Sequence, residues 1–152
     1  MGGVPMRAGQ IAEDFPSVVP DDEVLTAACV VARGSLPGVV VTGSDGRPCG
    51  LLPACDLVAG VVPGFVRESP GLARVYDDEG ADQTVRGLMT GRLVGEVLPD
   101  TRFRVVDGDA TAMEMAAAMA LLHSPLVLVR LADRGWGVVT ANRLLACLLP
   151  PA

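Results

Sequence analysis

The sequence predicts a mixed α/β (α+β) fold in which one strand-helix-strand-strand-helix unit occurs twice. Three observations predict it. Gly50-Leu51-Leu52-Pro53-Ala54-Cys55-Asp56-Leu57 and Gly137-Val138-Val139-Thr140-Ala141-Asn142-Arg143-Leu144 share one layout: a glycine, two aliphatics, a break, then the start of a helix. Setting Gly50 on Gly137 gives an offset of 87 positions, which also pairs Val18 with Val105, Val19 with Val106, Asp22 with Asp109, Val40 with Val127, Arg47 with Arg134, Leu57 with Leu144 and Pro63 with Pro150. Two copies make a pseudo-symmetric pair and not a solenoid. Finally, 50% of the 152 residues are hydrophobic and 20% charged, a balance that excludes disorder.

In chain order, residues 1 to 7 read as a leader without the apolar run of a signal peptide. Gly9 to Glu13 suits a short helical turn. Phe15 to Val19 predicts a strand, with Pro16 near its start as on an edge. Asp21, Asp22 and Glu23 supply acidic groups for a helix start. The helix then runs to about Arg33 with Val24, Leu25, Ala28, Val31 and Ala32 on its apolar face, and Gly34 is placed to end it in a left-handed conformation. Pro37 to Thr42 and Arg47 to Leu52 read as a hairpin around the turn residues Gly43-Ser44-Asp45-Gly46. Pro53 breaks the return strand, and a helix follows from Ala54 to about Val62.

Residues 8–63 form the first repeat, 64–92 a charged connector with a helix from Ala81 to Thr90, and 93–150 the second repeat. In that repeat Arg102 to Val106 is the first strand. Asp107-Gly108-Asp109 opens a helix that runs to about His123. Pro125 to Leu131 and Gly135 to Thr140 are strands around an Ala132-Asp133-Arg134 turn. Ala141 to Leu149 is the last helix, closed by Pro150-Pro151.

The helix from Ala110 to Leu122 carries one charge, Glu114, among methionines and alanines, and Leu144 to Leu149 is equally apolar. A helix apolar nearly all round must be buried, so the repeats are expected to cover each other's helices and a second copy of the chain to cover the rest, as a homodimer.

Composition excludes several functions. Net charge is −6 with no basic run, and aromatics are 3%, so neither an electrostatic surface nor stacking platforms for nucleic acid are present. No apolar stretch approaches the roughly 20 residues of a membrane helix. Cys29, Cys49, Cys55 and Cys147 show no Cys-x-x-Cys spacing, and the sole histidine is His123, so no zinc site of the usual kind is built from one copy. The cysteines read as reduced, mostly buried thiols of a cytoplasmic protein. No nucleophile-base set, catalytic carboxylate pair or phosphate loop stands out, so no enzyme is predicted.

The doubled unit, the Val19-Pro20-Asp21-Asp22 helix start, the Leu36-Pro37-Gly38-Val39-Val40 strand start and the Gly-aliphatic-aliphatic-x-x-x-Asp ending resemble cystathionine-β-synthase (CBS) domains. Two such domains in tandem form a Bateman module, and the chain is similar to small stand-alone bacterial CBS-pair proteins over about residues 8 to 63 and 93 to 150. The resemblance implies a regulatory module that binds an adenosyl ligand (AMP, ADP, ATP or S-adenosylmethionine) in clefts between the repeats and relays occupancy to a partner protein whose identity the sequence does not name. It implies no required cofactor. By the same resemblance the strand-start residues Val18, Leu36 and Pro37, with Val105, Ser124 and Pro125, would wall the adenine. The family motif ends with a Thr or Ser hydroxyl for phosphate and, three positions on, an Asp for the ribose.

Each copy here keeps half of that motif. Pro53 replaces the first hydroxyl, and Asp56 stands at the ribose position. Thr140 keeps the second hydroxyl, and Arg143 replaces the carboxylate with a group that only donates. Asp56 therefore reads as a ribose acceptor or as a helix-start carboxylate, Thr140 as a phosphate donor or a helix cap, and Arg143 as a phosphate partner or a solvated residue. His123, set against Leu36, reads as a cleft residue or a partly buried imidazole, and Trp136, set against Cys49, as packing. The other reading of the divided motif is a ligand-free dimerisation and docking module with degenerate clefts.

Overall fold

A computed structural model describes residues 6–98, 103–132 and 135–149. The predicted strand start at Arg102, the turn residues Asp133 and Arg134 and the closing Pro150-Pro151 lie outside the described residues, as does most of the leader. The described elements are α1 (Ala8–Ile11), β1 (Ser17–Val18), α2 (Val24–Gly34), β2 (Gly38–Thr42), β3 (Pro48–Pro53) and α3 (Ala54–Ala59); then α4 (Gly64–Glu68), a 3-10 turn (Pro70–Val75), α5 (Asp78–Met89) and α6 (Val94–Val97); then β4 (Val105–Asp107), α7 (Ala112–Leu122), β5 (Leu126–Leu131), β6 (Gly135–Thr140) and α8 (Ala141–Leu148). The repeat unit is thus realised twice. Its strands are shorter than predicted at β1, α3 stops at Ala59 rather than Val62, and the connector folds into more helix than the single segment expected.

Each repeat makes a three-stranded sheet, in the order β1-β2-β3 and β4-β5-β6, with the first pair parallel and the second antiparallel. The pairings correct the sequence register. Ser17 faces Val40 and Val105 faces Leu128, so β1 and β4 share whatever offset relates β2 to β5. Val39 faces Leu52 and Val127 faces Val139, so β2 maps to β5 at 88 while β3 maps to β6 at 87. The difference arises at a bulge in the first hairpin: Val41 pairs with Gly50 and Thr42 with Pro48, which leaves Cys49 unpaired, whereas β5 and β6 stay in unbroken register to Leu131 and Gly135. Cys49 has no counterpart. Val18 therefore corresponds to Val106, Leu36 to Ser124, Ser35 to His123 and Pro48 to Trp136.

The helix ends differ from expectation as well. Asp22 Oδ2 accepts from the Val19 N–H at 2.9 Å and closes its own turn; the Val24 N–H at the start of α2 instead donates to the Arg92 carbonyl at 2.9 Å. Thr111, not Asp109, caps α7 by accepting from the Glu114 N–H at 3.2 Å. Gly34 stays helical, and the left-handed residue that ends α2 is Ser35, as His123 is for α7, both at φ 49°.

One apolar cluster fills each repeat. The first gathers Val24, Ala27, Val31, Val39, Val41, Leu52 and Leu57; the second gathers Met115, Met119, Val127, Val129, Val139 and Leu144. A third joins the two sheets through Val40 and Leu51 with Leu126, Leu128 and Val138, flanked by Phe15, Phe103 and Trp136. Alternation along each strand divides its side chains between its own helices and the opposite sheet.

The repeats also exchange segments. α1 opens the first repeat but sits on the second: the Ala8 N–H donates to Ala110 O at 2.9 Å and the Gly9 N–H to Gly108 O at 2.7 Å. α6 opens the second repeat but sits on the first, with the Val94 N–H on Asp22 O at 2.8 Å and the Gly95 N–H on Pro20 O at 2.9 Å. This exchange explains the repeated glycine. A Cβ on Gly50 would lie 2.7 Å from a Leu98 methyl, and one on Gly137 would lie 3.2 Å from the Ala12 Cβ and 3.3 Å from the Glu13 carbonyl. In each repeat the glycine is where the incoming segment crosses the return strand.

Two expectations of burial are overturned. α7 buries Met115, Ala118 and Met119 but leaves Met113 76% and Leu121 66% exposed, because the repeats meet through their sheets and do not cover each other's helices. The cysteines are free, yet Cys49, Cys55 and Cys147 are exposed and only Cys29 is partly buried. Among the described residues no helix is long and apolar enough to cross a membrane. Met115 is fully buried at the centre of the second core. Met115→Ala is expected to destabilise the fold by about 2–5 kcal/mol through lost burial and the cavity left behind, read as a lower urea midpoint at fixed protein concentration.

Candidate functional site

The two strand starts face each other across the inter-sheet cluster. Leu36 and Pro37 of the first repeat and Pro125, Thr140, Ala141 and Asn142 of the second line one cleft of about 240 Å³, with Glu13, Phe15 and Ser35 completing its wall. Pro37 and Pro125 are equivalent residues under the corrected register. Their carbonyls hold the helices that start the motif endings: the Ala54 N–H donates to Pro37 O at 2.9 Å and the Ala141 N–H to Pro125 O at 2.8 Å. The rigid strand start therefore positions the first turn of the following helix, a local arrangement dictated by proline's fixed φ and by the orphan N–H groups of a helix start.

Thr140 is the N-cap of α8. Its Oγ1 accepts from the Arg143 N–H at 3.1 Å, which leaves the hydroxyl proton free to donate into the cleft. Capping and ligand contact are compatible, since one uses the oxygen lone pair and the other the hydrogen. The matching Pro53 at the start of α3 makes no side-chain cap.

Arg143 is committed elsewhere. Its Nε lies 3.4 Å from Glu13 Oε1, and both side chains are substantially exposed. Glu13 is fixed by its backbone, whose N–H donates to Val138 O at 2.8 Å and whose carbonyl accepts from the Val138 N–H at 2.9 Å. Glu13 and Phe15 had no role in the sequence reading. The segment that carries them reaches the second repeat only through the exchange of α1, and no short-range pattern encodes that. The close approach at Gly137 was the available signal.

The remaining predicted residues fall in other places. Val18 is in the core of the first repeat and does not reach the cleft. Val105 is part-exposed and lines a separate groove with Arg47, Arg130 and Trp136. Ser124 donates its hydroxyl to Leu126 O at 2.7 Å and so closes the start of β5. Asp56 lies in the first turn of α3, partly buried; its carbonyl accepts from the Gly60 N–H at 3.0 Å, and its carboxylate has no hydrogen-bond or ion-pair partner among the described residues. His123 is exposed at the end of α7, and Trp136 packs on the inter-sheet cluster.

The structure is similar to several solved proteins. A CBS domain-containing protein of unknown function from Kribbella flavida is 36% identical, with 95% of this chain and 100% of that chain covered and a TM-score of 0.75. A CBS domain of a membrane protein from Sphaerobacter thermophilus is 17% identical over 95% of this chain and 89% of its own, with a TM-score of 0.70. CBSX2, seen in complex with AMP, is 17% identical over 93% of this chain and 94% of its own, with a TM-score of 0.64. No family model matches the sequence. No curated protein matches it either.

The cap makes a prediction independent of any ligand. Thr140→Val is expected to cost about 1 kcal/mol of stability while Thr140→Ser costs little, compared by chemical denaturation.

Proposed function

The chain belongs to the CBS-domain family as a tandem pair, and from that premise we propose that it is a regulatory module that binds an adenine nucleotide or another adenosyl ligand between its repeats and relays occupancy to a partner protein. The observation that carries the reading is the cleft between the equivalent prolines, with the Thr140 hydroxyl at the start of α8 on its polar side. Phe15, Leu36, Pro37 and Pro125 give it the apolar walls a base needs, and the Asn142 N–H in α8's first turn and the Thr140 hydroxyl suit a phosphate. AMP bound to CBSX2 supports the ligand class. The role we assign is regulatory, because the cleft offers acceptors and donors that hold a ligand.

The signal requires two arrangements with different ligand affinity. The element that distinguishes them is a homodimer built on the open apolar faces of α7 and α8. Leu121 on α7 and Leu145, Leu148 and Leu149 at the end of α8 are all exposed, though neighbouring residues on the same helices are core. Covering such aliphatics contributes about 25 cal/mol per Å².

Titration calorimetry with AMP, ADP, ATP and S-adenosylmethionine tests the ligand. At least one is expected to bind with Kd below about 1 mM, and Thr140→Val to weaken it about tenfold, as loss of one charge-assisted hydrogen bond does. Asp56→Ala is expected to change it less than about twofold. The reverse pattern moves the site to the Asp56 half, and no heat from any of the four leaves the pair as a docking module. Light scattering tests the assembly: the chain is expected to be a dimer at micromolar concentration and Leu121→Glu with Leu145→Glu a monomer, because charges on a buried interface cost several kcal/mol unpaired.

A further inference from the structure

We propose that Glu13 supplies the hydroxyl-accepting carboxylate of the Thr140 cleft, positioned by Arg143, and so makes this cleft select ligands with a vicinal diol. The inference rests on the nucleoside reading of the cleft. The motif position that would carry a carboxylate holds Arg143, whose guanidinium has donors only and cannot accept from a sugar hydroxyl. Arg143 does not leave the cleft without an acceptor. Its Nε meets Glu13 Oε1 at 3.4 Å, and Glu13 is on the cleft wall with Thr140.

The geometry gives the two side chains distinct tasks. Glu13 is held on β6 by a pair of backbone hydrogen bonds to Val138, two residues before Thr140, so its Cα has little freedom. The guanidinium restricts the carboxylate further by engaging one oxygen. A carboxylate has about four acceptor sites on two oxygens, so Oε2 and the unused lone pairs of Oε1 remain for two adjacent hydroxyls. A diol satisfies both; a single hydroxyl does not. Thr140 then faces the other end of the same ligand with its hydroxyl proton. Acceptor and donor thus come from different repeats' sequence, Glu13 from the opening segment of the first and Thr140 from the second. The substitution of Arg143 for a carboxylate is compensated across the exchange and is not a loss of the site.

The test compares AMP with 2′-deoxy-AMP by calorimetry in the Asp56→Ala protein, which removes the other motif carboxylate. A preference for AMP of about tenfold is expected, the size of one charge-assisted hydrogen bond. Adding Glu13→Gln, or Glu13→Ser as a second variant that keeps the backbone bridge, is expected to lower AMP affinity and to collapse the preference below about twofold. Arg143→Ala is expected to reduce the preference and Arg143→Lys to restore part of it, which a purely structural role for Arg143 would not do. A tenfold preference that survives Glu13→Gln overturns the assignment, as does AMP binding without any preference; both leave the nucleotide reading standing. Absence of AMP binding in the unmodified chain overturns this assignment, and the nucleotide reading falls with it only if ADP, ATP and S-adenosylmethionine also give no heat.

Discussion

The close crossing of each return strand by a segment from the other side of the molecule is the constraint on which the rest of the structure depends. Leu98 lies over Gly50, and Ala12 and Glu13 lie over Gly137. A Cβ at Gly50 would press on the Leu98 side chain, and one at Gly137 on Ala12 and the Glu13 carbonyl, so each glycine gives the crossing segment room. The crossing ties α1 to the second core and α6 to the first, so neither repeat is complete without the opening segment of the other. It also decides the chemistry of the cleft, because the residues that follow α1 become its wall. A bulky side chain at either glycine would therefore disturb packing and site at once.

The second constraint is the division of labour along the strands. Val39 and Val41 face the helices of their own repeat, while Val40 and Leu51 face the other sheet. This alternation explains how runs such as Val39-Val40-Val41 are buried on both faces in so small a chain. It explains also why α7 and α8 are left half-open: the sheets use their second faces on each other, and among the described residues none covers the helices' outer sides.

The cleft shows how one bulge can mislead a repeat. The motif glycines and the helices after them follow one offset, and the strand-start prolines follow another, with Cys49 absorbing the difference. The equivalence of Pro37 and Pro125 was visible in the sequence and already disagreed with the offset set by Gly50 and Gly137. A bulge in a hairpin is the ordinary way for two such offsets to coexist, since it adds a residue without changing which face the rest of the strand presents.

The sequence by itself determined the repeat unit, the order of its elements and the family, because these rest on local patterning: apolar periodicity, turn residues and a motif written twice. It also marked Pro37, Pro125 and Thr140, whose roles come from proline's fixed φ and a helix cap, both local properties. Only the tertiary structure decided where Glu13 and Phe15 lie, that Val18 is core and that Arg143 pairs with a carboxylate far away in sequence. Those facts follow from the exchange of α1 and α6 across the pair. Such an exchange is set by the packing of whole segments and leaves in the sequence only the two glycines that make room for it.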